Sequence, residues 1–581
     1  MSERAKQRLA DRDFFINLLS SAATKRDAKA YISRLKSPPK ATGKQKPADG
    51  SSDSQVEPRD LFGRTRASNA SPVFTQFENE QETEEEETLH VALVKISNVT
   101  TMAENLVEGI AQTLSSLSRL SMAPCVVLEE PLQPDPSKAR QQLTLAANRL
   151  VAAIDSVHES GARTLDNVLS FGTDGRSQVF MRKLLTRPLR RGRIPIVLPI
   201  AYSTQQSRAV SVSADEAILA LTRELSGVIV RPQGGTQQGY KSISLERVII
   251  VDETGPIPST KAVDKRHVFV NLEQEYSALQ EELRSSTDHV VSQKHASNLK
   301  MFKEALKMLP ASSSGLLTTP IEAANSARVT DVGVSDVGTR RQKNPLIHNL
   351  LTDKPAYSSS LPAGRLGQET SSIPVITSTV VKRGMPVTVL PNPDAQTWTA
   401  ASKPRLELTD PRIDLDRLTY LIDDSFDRKL DVEAYLKRVN DRIAGVIIAG
   451  EYEGGAILTW ETPPGCPESD MDRLVPYLDK FAVLKRSQGA GGVADIVFNA
   501  MVRGGFPRGV CWRSRKDNPV NKWYFERSRG TWKIPDTNWT MFWTTPDILD
   551  GSGEKSRTFL DYETVCRTVK PTWADGKKIA D

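Results

Sequence analysis

Four cysteines in 581 residues, Cys125, Cys466, Cys511 and Cys566, are too few and too scattered for a disulfide framework, and with no Cys-x-x-Cys pair they do not suit structural zinc. A reducing compartment and a chain without a metal are the expectations. No run approaches the roughly 18 to 20 apolar residues that a membrane helix needs, which predicts a soluble protein with no membrane partner. The N-terminus, MSERAKQRLADRDFFINLL, lacks the apolar core of a secretory signal and contains acids that mitochondrial leaders avoid, so no address is legible there. Charge is not one-sided: 77 Lys and Arg against 71 Asp and Glu leave +6, interspersed along the chain, which argues against a nucleic-acid partner. All six histidines lie at or before residue 348, so the usual base near neutral pH is missing from the C-terminal section.

What is present is length for two or three domains of about 150 residues. Residues 1–36 read as one or two short helices, with Leu9, Phe15, Leu18 and Leu19 available to dock. Residues 37–88, rich in Pro, Ser, Gly and Lys and carrying the acidic run from Glu78 to Glu87, read as a disordered linker. From 89 to 345 the apolar runs VALVKI, CVVLEE, IPIVLPIAY and RVIIVDE alternate with helix-like stretches near 102–120, 138–159 and 214–226, the pattern of a parallel sheet covered on both faces. A Ser-, Thr-, Pro- and Gly-rich segment, 346–401, is expected to link this α/β domain to a last section, 402–571, which holds most of the tryptophans.

That last section contains KRSQGAGGVADIVFNAM, residues 485–501. Phe481 to Leu484 suit a strand, and Val493, Ile496, Val497, Ala500 and Met501 recur at helical spacing, so the glycines sit at a strand-to-helix turn. Such a turn aims free N–H groups and the positive end of a helix dipole at one point, which suits a diphosphate. Gly491-Gly492-Val493 lacks the Lys-Ser/Thr of a nucleotide triphosphatase loop, and the region about 20 residues on, Gly504-Gly505-Phe506-Pro507, lacks the ribose-binding acid of an NAD site. Downstream, in VCWRSRKDNPVNKWYF (510–525), strand alternation puts Arg513 and Arg515 on one face, a costly placement unless an anion lies between them.

Arg486-Ser487-Gln488-Gly489-Ala490-Gly491 resembles the acetyl-CoA loop of the GCN5-related N-acetyltransferase (GNAT) superfamily, implying Arg486, Gln488, Gly489, Ala490, Gly491 and Gly492 as coenzyme-binding residues. Together with LDKF (478–481), RSR-x-x-NP-x-N-x-WYF (513–525), WTMFW (539–543) and HVFVNLEQEY (267–276), the loop makes the chain similar to the N-acetylglutamate synthase family in its fungal mitochondrial form. The resemblance covers nearly everything but 37–88 and parts of 320–400. It implies an amino-acid-kinase-like parallel-sheet sandwich followed by an α+β GNAT domain, and transfer of acetyl from acetyl-CoA to the α-amine of L-glutamate. It also implies residence in the mitochondrial matrix, L-arginine as effector, a homo-oligomer, and a complex with N-acetylglutamate kinase. An arginine-sensing regulatory subunit without catalysis is the alternative.

By the same resemblance Lys429, Lys480, Arg513 and Arg515 hold the two carboxylates of glutamate, Asn518 orients substrate or polarises the acetyl carbonyl, and Tyr524 protonates the leaving thiolate. Bland readings stand beside these: a solvated helix charge for Lys429, surface acids pairing both arginines, core packing for Tyr524. Glu461, after the strand AILTW, is a weaker candidate proton acceptor, since an acid at a strand end is most often exposed. In the first domain VSADEAILAL resembles the kinase segment that opens a helix near the nucleotide. Ser97-Asn98-Val99 stands where working kinases carry a Gly-Gly turn for the phosphates, which implies that phosphoryl transfer is lost. The stretch from His295 is the expected effector side.

Overall fold

The computed structural model describes residues 88–574 except 132, 134, 173–174, 204–206, 227–242, 261–264, 326–343, 354, 356–377, 394, 403–404, 468–469, 489–491, 547 and 549–555. The expected helices of 1–36, and all of the expected linker but Thr88, lie outside the described residues.

The N-terminal part carries strands β1 (Leu89–Ser97), β2 (Met122–Glu129), β3 (Ala162–Leu165), β4 (Leu169–Phe171), β5 (Ser177–Val179), β6 (Ile194–Val197), β7 (Ile200–Ser203), β8 (Arg208–Ser211), β9 (Ile243–Val251), β10 (Phe269–Asn271), β11 (Ser314–Thr318) and β12 (Ser378–Lys382). Its helices are α1 (Glu104–Arg119), α2 (Pro136–Val157), α3 (Arg182–Arg190), α4 (Ala214–Leu225), α5 (Leu272–Arg284), α6 (His289–Lys307), α7 (Pro320–Ala324) and α8 (Pro345–Thr352). Eight strands form one sheet in the order β10-β12-β11-β9-β1-β2-β6-β3. β1 is apolar on both faces because both are covered: Ala92, Val94 and Ile96 meet α1 and α2, while Val91 and Leu93 meet α3, α4 and α6. The run IPIVLPIAY splits where Pro199 has no N–H to give, sending β6 into this sheet and β7 into a small one ordered β5-β4-β7-β8.

The expected parallel sheet is present, and near one edge it carries a reversal. β12 runs antiparallel to β11 and parallel to β10. It arises from the segment expected to be linker, which also supplies the first strand of the next sheet.

That second sheet is β13 (Val387–Leu390), β14 (Ile443–Ala449), β15 (Gly454–Glu461), β16 (Val475–Val483), β17 (Cys511–Arg515), β18 (Gly530–Lys533) and β19 (Trp539–Trp543), ordered β13-β14-β15-β16-β17-β19-β18. Its helices are α9 (Leu415–Phe426), α10 (Val432–Val439), α11 (Val493–Ala500), α12 (Asn521–Arg527) and α13 (Arg557–Thr568). One face packs on α11 through Ile447, Leu458, Val493 and Val497. The other packs on α9 and α10 at one end, through Ile448 and Ile457, and on α13 at the other, through Met541 and Trp543. The apolar cluster under α11 is continuous with one face of the first sheet, running through Phe269 and Val380. Among the described residues no helix is long and apolar enough to cross a membrane.

Candidate active site

The site is built where the second sheet's hydrogen bonding fails. β16 and β17 run parallel and meet at Tyr477↔Cys511, the one register pair between them among the described residues, and then diverge. On its other side β16 carries a bulge: Ile457 faces Lys480 and Leu458 faces Leu478, leaving Asp479 as the extra residue. The bulge twists β16 away from β17 and opens a gap whose main-chain groups have no ladder partner there.

Side chains around the gap divide by face. Toward α11 point Phe481, Trp512 and the rings of α12; Tyr524 lies 5.4 Å from Trp512, 5.4 Å from Phe542 and 6.5 Å from Phe481, centroid to centroid. Toward α10 and α13 point Lys480 and Arg513. The Lys480 ammonium sits 4.7 Å from the centre of the Tyr435 ring and 5.5 Å from that of Trp573, and the Arg513 guanidinium lies 4.1 Å over Trp539. The strand-to-helix turn is on the first of these faces. Gly492, at φ +71°, precedes α11 and supplies no side-chain cap, so the first N–H groups of α11 have no helical acceptor. Gly489, Ala490 and Gly491 lie outside the described residues.

A family model described as the N-acetyltransferase domain of N-acetylglutamate synthase matches residues 401–570. The mitochondrial amino-acid acetyltransferase of Aspergillus flavus is 50% identical, covering 100% of this chain and 91% of the relative; that of Penicillium rubens is 46% identical, covering 100% and 85%. The chain belongs to the mitochondrial amino-acid acetyltransferase family. Among solved structures it is similar to N-acetylglutamate synthase from Neisseria gonorrhoeae complexed with coenzyme A and N-acetyl-glutamate, at 12% identity and TM-score 0.42 over 78% of this chain and 95% of that one.

Within this acetyltransferase the residues in and around the gap fall into three groups. Lys480 and Tyr524 line the two faces of the gap. Lys480 is largely buried and donates to Asp479 Oδ2 at 2.9 Å; burial lowers its pKa more than Asp479 raises it, and Arg513 nearby adds to the lowering. The Tyr524 hydroxyl has no hydrogen-bond partner among the described residues, and burial pushes its pKa up, so the phenol keeps its proton at neutral pH.

The second group is occupied by the protein itself. Arg513 donates to Cys566 O at 2.6 Å and Val569 O at 2.5 Å, capping the end of α13, where free carbonyls attract a cation. Arg515 pairs with Asp517 through Nε at 3.1 Å, and Lys429, 79% exposed, pairs with Asp423 at 3.0 Å. The surface acid weighed for Arg515 is therefore its partner, while the partners of Arg513 are carbonyls. Asn518 donates to Ser514 Oγ at 2.9 Å and accepts from the Val520 N–H at 3.0 Å. This turn, with Pro519, ends the strand at Arg515, so Trp523, Tyr524 and Phe525 are helical rather than part of a strand. Gln488 folds back, its Nε2 donating to Val483 O at 3.0 Å, and Arg486 is exposed. Glu461 is buried, contrary to the expectation for a strand end; it accepts from Thr459 at 2.8 Å, Arg438 at 3.3 Å and Arg442 at 3.2 Å.

The third group was missed. Asp479 is gripped by Lys480, Arg438 and the Tyr435 hydroxyl; burial works to raise its pKa, but Lys480 and Arg438 outweigh it and hold it well below the usual carboxylate range. Asp495, in the first turn of α11, would repel a phosphate, but Arg527 of α12 neutralises it, with Nε 2.9 Å from Oδ1 and its guanidinium carbon 4.0 Å from the centre of the Trp523 ring. That pair fastens the helix bearing Tyr524 to the proposed coenzyme helix.

In the first sheet Lys95 is surrounded: Nζ donates to Asp215 at 2.5 Å, Asn298 at 2.8 Å and Glu129 at 3.4 Å, while Ser97 Oγ donates to Glu129 at 2.5 Å. Asn98 adopts φ +57° just beyond.

Proposed function

We propose that the chain transfers the acetyl group of acetyl-CoA to the α-amine of L-glutamate, giving N-acetyl-L-glutamate and CoA. The observation that carries this reading is the gap between β16 and β17, with amides and a protonated tyrosine on one face and a buried ammonium on the other. A coenzyme held by Gly489–Gly492 and the start of α11 sends its thioester through the gap toward an amino acid held near Lys480. Its diphosphate meets the N–H groups that Gly492 leaves uncapped, with Asp495 already neutralised by Arg527.

The amine nitrogen attacks the acetyl carbonyl, the C–N bond forms and the C–S bond breaks. The amine proton goes to water, since both oxygens of Glu461 are engaged, and Tyr524 gives its proton to the departing thiolate. Proximity is the main source of rate; well-oriented reactants gain roughly 7 to 11 kcal/mol. Lys480 is the cation best placed for a substrate carboxylate. Arg513 contributes by its charge beside Lys480, because its N–H groups are committed to α13.

The mitochondrial matrix, which the relatives' name supports, is the proposed location. L-Arginine is the proposed effector, and a homo-oligomer and a complex with N-acetylglutamate kinase the proposed assemblies. Phosphoryl transfer is proposed to be lost from the first sheet, since three protein acceptors already enclose Lys95. The engagement of Arg513, Arg515 and Asn518 by the protein's own groups favours a second reading, a non-catalytic arginine-sensing subunit. The purified chain with acetyl-CoA, L-glutamate and a thiol reagent decides between them. Thiol release that requires glutamate supports the enzyme; none, with arginine still bound, supports the sensor.

A further inference from the structure

The chain passes from the first sheet to the second through residues 383–386, and the corner where β10 becomes α5 grips that passage. The Glu273 N–H donates to Arg383 O at 3.0 Å, Asn271 Nδ2 to Met385 O at 2.8 Å, and the Val387 N–H to Gln274 Oε1 at 3.2 Å. Gly384, at φ +71°, lies so close that a Cβ on it would stand 1.8 Å from Asn271 Oδ1.

The same corner lies beside the start of α11 and bonds to the turn that follows its end. At the N-terminal end, ring carbons of Phe269 lie 3.8 Å from where a Cβ of Gly492 would stand. At the C-terminal end, Arg503, on the π-turn (Met501–Gly505) that continues the helix, donates to Glu275 Oε1 at 3.3 Å. The other oxygen of Glu275 accepts from the Asn271 N–H at 2.7 Å, so the pair is tied to the clamp on the passage. The inner face of α11 rests on its own sheet, with Val493 Cγ1 2.5 Å from a Cβ built on Gly454. Packing against its sheet sets the height of the helix. With an uncapped glycine at its start, the angle at which its first amides point depends on flanking contacts, the Asp495–Arg527 pair from its own side and the Phe269 ring from the first sheet.

We infer that Phe269 and Glu275, which belong to the first sheet and its helices, are positioning residues for acetyl-CoA. Holding α11 at its two ends, they aim the amides that grip the coenzyme's diphosphate. The inference rests on the acetyltransferase reading above and adds that the second sheet's coenzyme site is completed by the first.

Initial rates on the full chain, with acetyl-CoA and L-glutamate varied separately, test it. Phe269→Ala is expected to raise the KM for acetyl-CoA about tenfold while kcat and the KM for glutamate stay within about twofold, since small misplacements at a distance disturb one substrate's fit. Phe269→Leu is expected to restore most of the loss. Glu275→Gln and Arg503→Gln are each expected to raise the same KM about two- to fivefold, as suits a half-exposed pair, with the double variant no worse than either single one. Arg284→Gln, at the exposed far end of α5, is the unaffected control. An unchanged KM for acetyl-CoA in these variants, or equal losses in both KM values and kcat, overturns the inference. If Phe269→Ala does not fold, the Glu275–Arg503 cycle decides. A wild-type chain without glutamate-dependent turnover refutes the acetyltransferase reading instead; calorimetric titration with CoA then judges the clamp by the same fold-changes in Kd.

Discussion

Tyr524, the proposed acid, is held among Trp512, Phe542 and Phe481, its hydroxyl without a hydrogen-bond partner among the described residues and its proton retained by burial. Tyr524→Phe keeps the packing and removes the acid, so kcat is expected to fall about 100-fold with the KM for glutamate nearly unchanged, the low end of what one proton donor contributes. Steady-state kinetics check this, and an unchanged kcat removes Tyr524 from the chemistry. Lys480→Met is expected to act the other way, raising the KM for glutamate about tenfold or more, because a charge-assisted carboxylate contact is worth about 1.5 to 3 kcal/mol. Lys480 was legible in sequence because it lies within a short motif. Its partners were not: Asp479 meets Arg438 41 residues away, and Asp495 meets Arg527 32 residues away, separations that no local periodicity encodes. The partners of Arg513 are as distant. Alternation along the strand gave its side but not what lay there, and the carbonyls at the end of α13 are 53 and 56 residues downstream.

Among the elements, α6 carries a titration that the sheet above it makes costly. His295 is fully buried, neither ring nitrogen is hydrogen-bonded among the described residues, and burial foremost, helped by Arg266 and Lys294 against Asp252, pushes its pKa down to about 4 from 6.5. The unfolded chain therefore takes up a proton below pH 6.5 that the folded chain refuses until about 4, and stability falls across that window by up to about 3 kcal/mol. Asp252, on the turn after β9, behaves in the same direction lower down. Burial would raise it, but Lys294, Ser97 and Thr254 hold it at about 2 instead of 3.8, so stability present above about pH 4 is lost as pH falls toward 2. Urea unfolding across pH is expected to show both slopes, with His295→Leu abolishing the upper one and leaving the lower; persistence of the upper slope contradicts the assignment. Gly492→Ala forces a side chain into φ +71°, and is expected to cost about 1 kcal/mol and weaken acetyl-CoA more than glutamate. Elements with a strong pattern, such as the helical spacing of α11 and the unbroken apolar run of β1, were legible from their residues. The break at Pro199 and the reversal of β12 were not, since a strand's direction is set by where the chain returns from rather than by its own side chains.

For the whole molecule, one apolar cluster beneath α11 joins the two sheets, and the corner from Phe269 to Glu275 ties the passage between them. A ligand that shifts the first sheet's helices is therefore expected to change coenzyme affinity. If L-arginine weakens acetyl-CoA binding by some factor, acetyl-CoA must weaken arginine binding by the same factor, and titrating each ligand with and without the other checks the equality. A factor of one in both directions would mean that arginine and the coenzyme bind without coupling. The two-part organisation was legible because apolar runs and glycine turns change texture along the chain. How the parts sit together was not, because nothing near Phe269 or Glu275 in the sequence marks them as neighbours of the glycine turn and of Arg503, which lies 228 residues beyond Glu275.

The proposed transfer depends on a gap between β16 and β17 through which a thioester reaches an amino acid. A crystal structure of the full chain with coenzyme A and N-acetyl-L-glutamate tests this most directly. The diphosphate is predicted on the amides that begin α11, the thiol in the gap beside Tyr524, and the product carboxylates on the Lys480 face. Coenzyme bound elsewhere, or product on the same face as α11, would contradict it.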